Sequence, residues 1–405
     1  MYYVKVMTKP IFIIILVGFF VSVLNAQMTW TLATDSADWV GRHSHSSVIF
    51  DNKIWVMGGY SLNGLKNDVW YSFDGTNWTQ ATSSAGWSAR DLFTSVVYDN
   101  KIWIMGGGRP GGYNNDVWYS TNGSDWVQAT TSANWSARFG FPAIVFDGKI
   151  WVLGGGGNSG LTNDVWYSTN GINWTQATDS APWSGRFCHS SVVYNNKIWV
   201  IGGLDGNNKN DVWFSANGID WTQATASANW SARYNHTSLV FDNKMWVIGG
   251  CEGFPYFKND VWYSTDGANW TQATPSATWS ARDGHTSVDF NNKIWVIGGY
   301  ESMSNFGTDV WYSTGIGIFE QTNGSINKAD IFNIYPNPIR TDFMINVPIN
   351  QNGKTLKIFD VSGKLVKQAK INEPLTRISM QRIKDGVYFL SLEGNKQVKK
   401  IIKQK

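Results

Sequence analysis

The sequence predicts an all-β chain of six repeated blades, closed by its own N-terminal strand and followed by a small β-sandwich. Three observations carry that expectation. An arginine recurs at Arg42, Arg90, Arg138, Arg186, Arg233 and Arg282, at spacings of 48, 48, 48, 47 and 49 residues. A double glycine follows each one, at Gly58-Gly59, Gly106-Gly107, Gly154-Gly155, Gly202-Gly203, Gly249-Gly250 and Gly298-Gly299. Each unit also carries four tryptophans, so six units account for all 24 in the chain. A fixed period of this length marks a repeat architecture, in which stacked units bury what one unit cannot bury alone.

Within the first unit, runs rich in Val, Ile, Trp, Tyr and Thr occupy residues 45–50, 53–59, 68–73 and 77–82. These residue types suit a pleated, half-buried surface. Asp51-Asn52 separates the first pair of runs and Asp74-Gly75 the last pair. Such residues accept the positive φ of tight hairpin turns. Four antiparallel strands repeated at this period read as the blades of a β-propeller. No unit has a helix-period run, which excludes a helical solenoid. The double glycine lets backbone without Cβ pass close to a neighbouring blade.

The arginine, a polar-rich strand, an aromatic strand ending in Gly-Gly, and an Asn-Asp-Val-Trp strand before a final Trp together resemble the kelch repeat. The resemblance covers residues 29–313 in six copies. It departs at Trp55, Trp103 and their equivalents, where kelch repeats usually carry Tyr. That change is expected to alter packing and to leave the fold intact.

Taken in order, residues 1–26 read as a secretory signal peptide: Lys5 and Lys9, a 14-residue apolar run over 11–24, then Ala26 before Gln27. The alternative, a membrane anchor, needs about 20 apolar residues, and no other stretch of the chain could cross a bilayer. Residues 28–39 match the final strand of a unit, whereas the sixth unit stops at Gly315 without one. Circular closure resolves both observations. Residues 29–34 are expected to complete the last blade and cover an edge that would invite aggregation. The propeller is thus expected over 27–314.

Residues 315–330 lack Trp and read as a linker. Basic residues outnumber acidic ones 15 to 6 over 328–405, while 27–327 hold 16 basic and 24 acidic residues. The net charge of +3 therefore hides an acidic propeller and a basic tail, which suggests different partners for each. In 331–405, strand-like runs alternate with Pro-Asn-Pro, Ser-Gly, Asp-Gly and Glu-Gly-Asn turns, as in a small antiparallel sandwich. The Tyr-Pro-Asn-Pro opening, the Asp-Val-Ser-Gly-Lys centre, the Gly-Val-Tyr-Phe element and the Lys-rich end resemble the type IX secretion sorting domain of Bacteroidota. The resemblance implies an export address read by the type IX machinery, then removed or exchanged for a surface anchor. Nucleic acid is not an expected partner: the tail lysines alternate with apolar residues, as on the solvated face of a sheet, and no aromatic stacking platform accompanies them.

Two cysteines, Cys188 and Cys251, are expected toward one face, and an oxidising compartment permits a bridge if their Cα atoms lie within about 7 Å. Strand alternation puts the loops after Gly-Gly on that same face, and those loops vary where the rest is templated. Variable loops on a rigid scaffold are the usual place for binding. His45, His189, His236 and His285 each stand three after the repeat arginine, so packing or hydrogen bonding is expected of them, and no metal site. The residues that break the template are the ligand-binding candidates: His43, Tyr60, Arg109, Cys251, Glu252, Phe254, Tyr256, Asp283, Tyr300 and Glu301. Carboxylates beside aromatic rings suit a sugar or peptide pocket.

Two further resemblances concern enzymes. Residues 263–270 partly match the Asp-box of sialidase propellers, where Asn122, Asn170 and Asn217 replace the Asp in other copies. Kelch-type propellers also include a periplasmic sialic-acid epimerase and the copper-radical galactose oxidase, but neither Cys here sits in a recognisable copper motif. The expectation is a secreted or surface-anchored binding module for a glycan or an extracellular protein, without a cofactor. The competing expectations are a carbohydrate-active enzyme using Glu252 and Glu301, and a structural surface or gliding component.

Overall fold

The computed structural model describes residues 28–302, 305–314, 333–335, 339, 341–347, 353–360, 364–373, 375–393 and 398–403. The expected signal peptide, 1–26, and linker, 315–330, lie outside the described residues. The chain divides near residue 317 into two compact units.

The first unit is a six-bladed propeller. Blade one runs from inside to outside through Ser46–Phe50, Lys53–Ser61, Gly64–Ser72 and Thr79–Thr82, each antiparallel to the next. Its first hairpin turns on Asp51 and Asn52, both at positive φ (51° and 56°). Blades two to five occupy 94–130, 138–178, 190–225 and 237–274, and blade three gains the short strand Arg138–Phe139. Blade six has Thr286–Phe290, Lys293–Ser302 and Asn305–Thr314, and takes its fourth strand from Trp30–Thr34. In that pairing Trp30 stands opposite Ser313 and Leu32 opposite Trp311. The innermost strands contact one another around a closed ring, blade six against blade one.

The core lies between blades because a strand shows its side chains to both sheet faces in turn. Along blade two, Ile102 and Ile104 pack toward blade one, while Trp103 and Met105 pack toward blade three. The tryptophan before each repeat arginine is about 1% exposed and meets a second Trp edge-to-face, with centroids 5.6–5.9 Å apart and planes at 83–88°. In blade six that second Trp is Trp30, so the closing strand brings its own copy of the contact.

The Trp-for-Tyr departure now has a physical account. A Cβ on Gly123 of blade two would lie 2.1 Å from the Trp55 ring of blade one, and Gly75, Gly171, Gly218 and Gly267 meet the preceding blade's Trp in the same way. The large indole reaches the next blade's outer turn, and that turn needs glycine both for this approach and for its positive φ.

The second unit pairs a three-stranded sheet (Asn333–Tyr335, Asp342–Asn346, Leu375–Ser379) with a four-stranded one (Leu365–Lys370, Thr355–Asp360, Gly386–Leu392, Val398–Lys403). Both sheets bury residues in one cluster, among them Phe343, Ile345, Leu356, Ile358, Leu390 and Ile401. Lys357, between two of these, is exposed, as the alternation requires.

Candidate functional site

The repeat arginine fixes the geometry of the channel. Arg42 is fully buried and grips Asp68 with both nitrogens, Nη1–Oδ1 at 2.7 Å and Nη2–Oδ2 at 2.8 Å, while Nη1 also donates to the Gly58 carbonyl at 2.9 Å. The same fork recurs at Asp116, Asp164, Asp211, Asp260 and Asp309. In the sequence alone this aspartate is visible only as part of a strand. Its signal was a constant phase of 25 to 27 residues behind the arginine.

Two residues beyond each arginine the backbone turns left-handed, with φ between 49° and 61° at Ser44, Leu92, Gly140, Cys188, Asn235 and Gly284. These six form a closed circle of main-chain hydrogen bonds, each N–H donating to the carbonyl of the blade before it, at 2.6–3.1 Å. The circle rims the neck of the central channel, where a cavity of about 140 Å³ opens.

Three residues beyond the arginine, His45, His236 and His285 turn inward and meet a hydroxyl of the preceding blade: Thr286 at 3.0 Å, Ser190 at 2.8 Å and Thr237 at 3.2 Å from Nε2. Burial holds all four templated histidines well below their ordinary pKa, so they are neutral packing groups. His189 differs. Blade three offers it Pro142, which has no hydroxyl, where the other blades carry Ser or Thr, and among the described residues its buried Nε2 has no partner.

The residue directly after each arginine pairs with the residue after Gly-Gly and surrounds the channel mouth. This circle reads His43, Asp91, Phe139, Phe187, Tyr234 and Asp283. It is two-sided. Asp91 and Asp283 flank His43, whereas Phe139 lies 5.3 Å from Phe187 and stacks on Tyr113 at 4.5 Å. On the His43 side a second aromatic group gathers: His43 lies 5.7 Å from Tyr60, 5.4 Å from Tyr300 and 5.1 Å from Phe306, and Tyr300 contacts Phe254 and Phe257.

The fold thus brings His43, Tyr60, Phe254, Asp283 and Tyr300 together, and Cys251 beside Tyr234. Tyr256 projects from its loop tip, 69% exposed, and Arg109 is exposed on blade two. Glu301 turns away to Arg282 (2.7 Å) and Asn305 (2.7 Å). Glu252 pairs with Lys258 at 2.8 Å. Burial pushes the Glu252 carboxyl up, but hydrogen bonds from Lys258 and Ser231 outweigh it and hold it below its usual range. An ion-paired carboxylate held ionised is a poor proton donor. The two cysteines are separate buried thiols. Among the described residues, no three of His, Cys, Asp and Glu converge closely enough to hold a metal ion.

Burial pushes Asp91 and Asp283 up to about 6 and lowers His43 to about 4. Asp283 is 6% exposed, and its one side-chain hydrogen bond comes from Asn235 Nδ2 at 3.2 Å. Asp91, Phe139, Phe187 and Tyr234 are not among the residues the sequence singles out, because they adjoin the templated arginine and lie outside the variable loops. The variable column after the arginine was their signal. A carboxyl raised in the folded state subtracts stability once ionised, so that loss is absent below about pH 4 and complete above about pH 6. Asp283→Asn should consequently stabilise the chain by about 1–2 kcal/mol at pH 8 and change little at pH 4. Thermal melts at the two pH values test it, and equal shifts at both would refute the charge argument.

The Asp-box-like turns are structural. Asp74 Oδ1 accepts from the backbone of Thr76 and Asn77 at 2.8 and 2.9 Å, and Asn122 and Asn170 do the same with their amide oxygen. An acceptor oxygen is all the turn needs, which is why Asn and Asp interchange.

Comparison with known proteins agrees with this architecture. Residues 19–203 and 188–322 match the family described as the KLHDC2/KLHL20/DRC7 Kelch-repeats domain. Residues 333–404 match the secretion system C-terminal sorting domain. A solved structure of YjhT is similar, with a TM-score of 0.58 and 17% identity, over 70% of this chain and 97% of that one. A curated relative is Beta-agarase A of Zobellia galactanivorans, 33% identical over 61 residues, which is 15% of this chain and 11% of that protein.

Proposed function

The chain belongs to the kelch-repeat propellers and is exported by type IX secretion through its C-terminal sorting domain, and on that premise we propose that it captures glycans outside the cell at the mouth of its channel. The observation that carries this is the two-sided mouth. Half-exposed rings at Tyr60, Tyr300, Phe306 and Phe254 offer flat apolar surfaces to a pyranose, and Asp91, Asp283 and His43 offer hydrogen-bonding groups beside them. The domain boundaries at 27–314 and 331–405 fit a display arrangement, with a rigid binding unit on an export address. The short likeness to Beta-agarase A gives a carbohydrate-related relative, but 11% of that protein brings neither agar nor its cleavage to this propeller. Among the described residues no helix is long and apolar enough to cross a membrane.

The enzyme reading through Glu252 and Glu301 loses support because both carboxylates are engaged in ion pairs. A thermal-shift screen of the full chain against neutral, acidic and amino sugars and their oligomers is the direct test. A bound glycan must raise the melting temperature, by an amount worth about 2.7 kcal/mol at a hundredfold excess over Kd. Tyr300→Ala and Phe139→Ala should each abolish the shift. No shift across the panel would sink the glycan reading in favour of a protein partner or a structural surface role. Turnover lost in Glu252→Gln or Glu301→Gln would instead establish the enzyme.

A further inference from the structure

We infer that the mouth is built for a protonated amino sugar, whose ammonium sits between Asp91 and Asp283 while its ring lies on the aromatic wall. This rests on the glycan reading above and narrows it to one chemical class. Four observations lead there.

First, the two carboxyls belong to one place. Leu92 and Gly284 are the partners of Ser44 on either side of the main-chain circle, through Leu92 N to Ser44 O at 3.0 Å and Ser44 N to Gly284 O at 2.7 Å. Asp91 and Asp283 immediately precede them. Both also act electrostatically on Cys188, which belongs to blade four, across the circle from blade one. Second, no described residue neutralises them. Among the described residues neither forms an ion pair, and Arg109, next to the Gly108 that Asp91 faces, makes none with it. His43 lies between them but stays neutral near pH 7, and its Nδ1 is engaged with Ser44 Oγ at 3.0 Å. Asp283 is nine-tenths buried and has only an amide donor. Desolvated carboxylates without a cation call for one from the ligand, and a neutral hydroxyl does not supply it.

Third, the surroundings suit an organic ammonium better than a metal. The described carboxylates, imidazoles and thiols do not converge to metal-ligand geometry. The opposite wall is aromatic, with Phe139, Phe187 and Tyr234 completing the circle. Ring faces attract ammonium groups and also stack on the apolar face of a sugar. Fourth, the neck beneath the mouth holds an unanswered polar group. His189 lines the 140 Å³ cavity, is 6% exposed, and its Nε2 has no partner among the described residues. A ligand hydroxyl, or a water held under the ligand, fits that position.

The experiment uses the full chain and calorimetric titration with two matched probes, glucosamine oligomers and the same oligomers fully N-acetylated. The amine form should bind at least tenfold more tightly. Asp91→Asn and Asp283→Asn should each weaken the amine form by about tenfold and leave the acetylated form unchanged. Both variants are isosteric, and a native melting transition shows that each still folds. Equal affinity for the two probes, unchanged in the variants, would overturn the amino-sugar inference while the glycan reading survives. Binding to neither probe nor any other glycan would remove both. Binding to a lysine-rich peptide with no response to the amine oligomers would also overturn it, because the ammonium would then come from a protein.

Discussion

Arg138→Ala should destabilise the propeller by about 3–5 kcal/mol, the loss typical when one member of a buried ion pair is removed. Arg138 Nη1 donates to the Gly154 carbonyl at 2.7 Å and to Asp164 Oδ1 at 2.8 Å, Nη2 to Asp164 Oδ2 at 2.8 Å, and Nε to the Ser136 carbonyl at 3.1 Å. The guanidinium also lies 5.8 Å over the Trp135 ring. Truncation leaves Asp164 with neutral donors alone, Trp166 Nε1 at 2.7 Å and the Thr162 side chain, and takes the arginine's hydrogen bonds from two carbonyls. Every tryptophan lies between residues 30 and 311, so fluorescence-monitored urea unfolding reports the propeller and not the tail. Adding Asp164→Ala to the variant should restore part of the loss, since the stranded charge goes with it. A single variant as stable as the parent would show that the arginine is dispensable.

The same ion pair sets a pH dependence. Burial alone would raise the Asp164 carboxyl, but the hydrogen bonds and charge of Arg138 overcome this and lower it. A carboxyl lowered in the folded state contributes its stability above its unfolded value, near pH 4, and loses it as pH falls through the folded value. Asp68 and Asp260 behave alike. The parent should accordingly lose stability steeply below about pH 4, and Arg138→Ala should show a shallower loss there. Parallel curves would contradict the assignment.

Deleting residues 28–34 should open blade six and make the chain aggregate. Trp30 is 8% exposed and packs at 5.6 Å, edge-to-face, on Trp279. The Ser313 hydroxyl donates to the Thr29 carbonyl at 2.7 Å, and four residues of the strand pair with Val310–Ser313. Without them, Asn305–Thr314 becomes an unpaired edge, a template for pairing with other chains. The milder Trp30→Ala should remove about 3–5 kcal/mol, as large aromatic truncations do in cores. A synthetic peptide of residues 28–40 should suppress the aggregation in trans, read by light scattering and by the fluorescence melt. A deletion variant that scatters no more light than the parent and keeps an unchanged melt would refute closure by this strand.

Both predictions concern features the sequence announces through recurrence. The arginine and the closing strand are each written six times, or five times plus one displaced copy, and a pattern repeated that often needs no partner to be recognised. The site was legible only in part. His43, Tyr60, Phe254, Asp283 and Tyr300 stood out as breaks in a template, and the fold gathers them on blades one, five and six. Glu252 and Glu301 stood out for the same reason. Their partners, Lys258 and Arg282, were visible in the sequence, but which carboxylate an arginine with several hydrogen-bond donors would also take was not. Arg282 serves Asp309 in the repeat pattern and Glu301 besides.

Asp91 shows the opposite error. As a letter it is one aspartate among many, next to a templated arginine and far along the chain from Asp283. What sets it apart is burial without a cation beside it, and burial belongs to the assembled ring. From its own residues the sequence determined the six-fold period, the strand types and turns and the N-terminal closure, because each follows from local conformational preference or recurrence, while the export address came from the tail's resemblance to a sorting domain. Only the tertiary structure decided which charges are satisfied, that six left-handed residues join in one hydrogen-bonded circle, and that carboxyl and aromatic groups face each other across the mouth. Those outcomes depend on distances between blades some 48 residues apart, and no local pattern encodes such a distance.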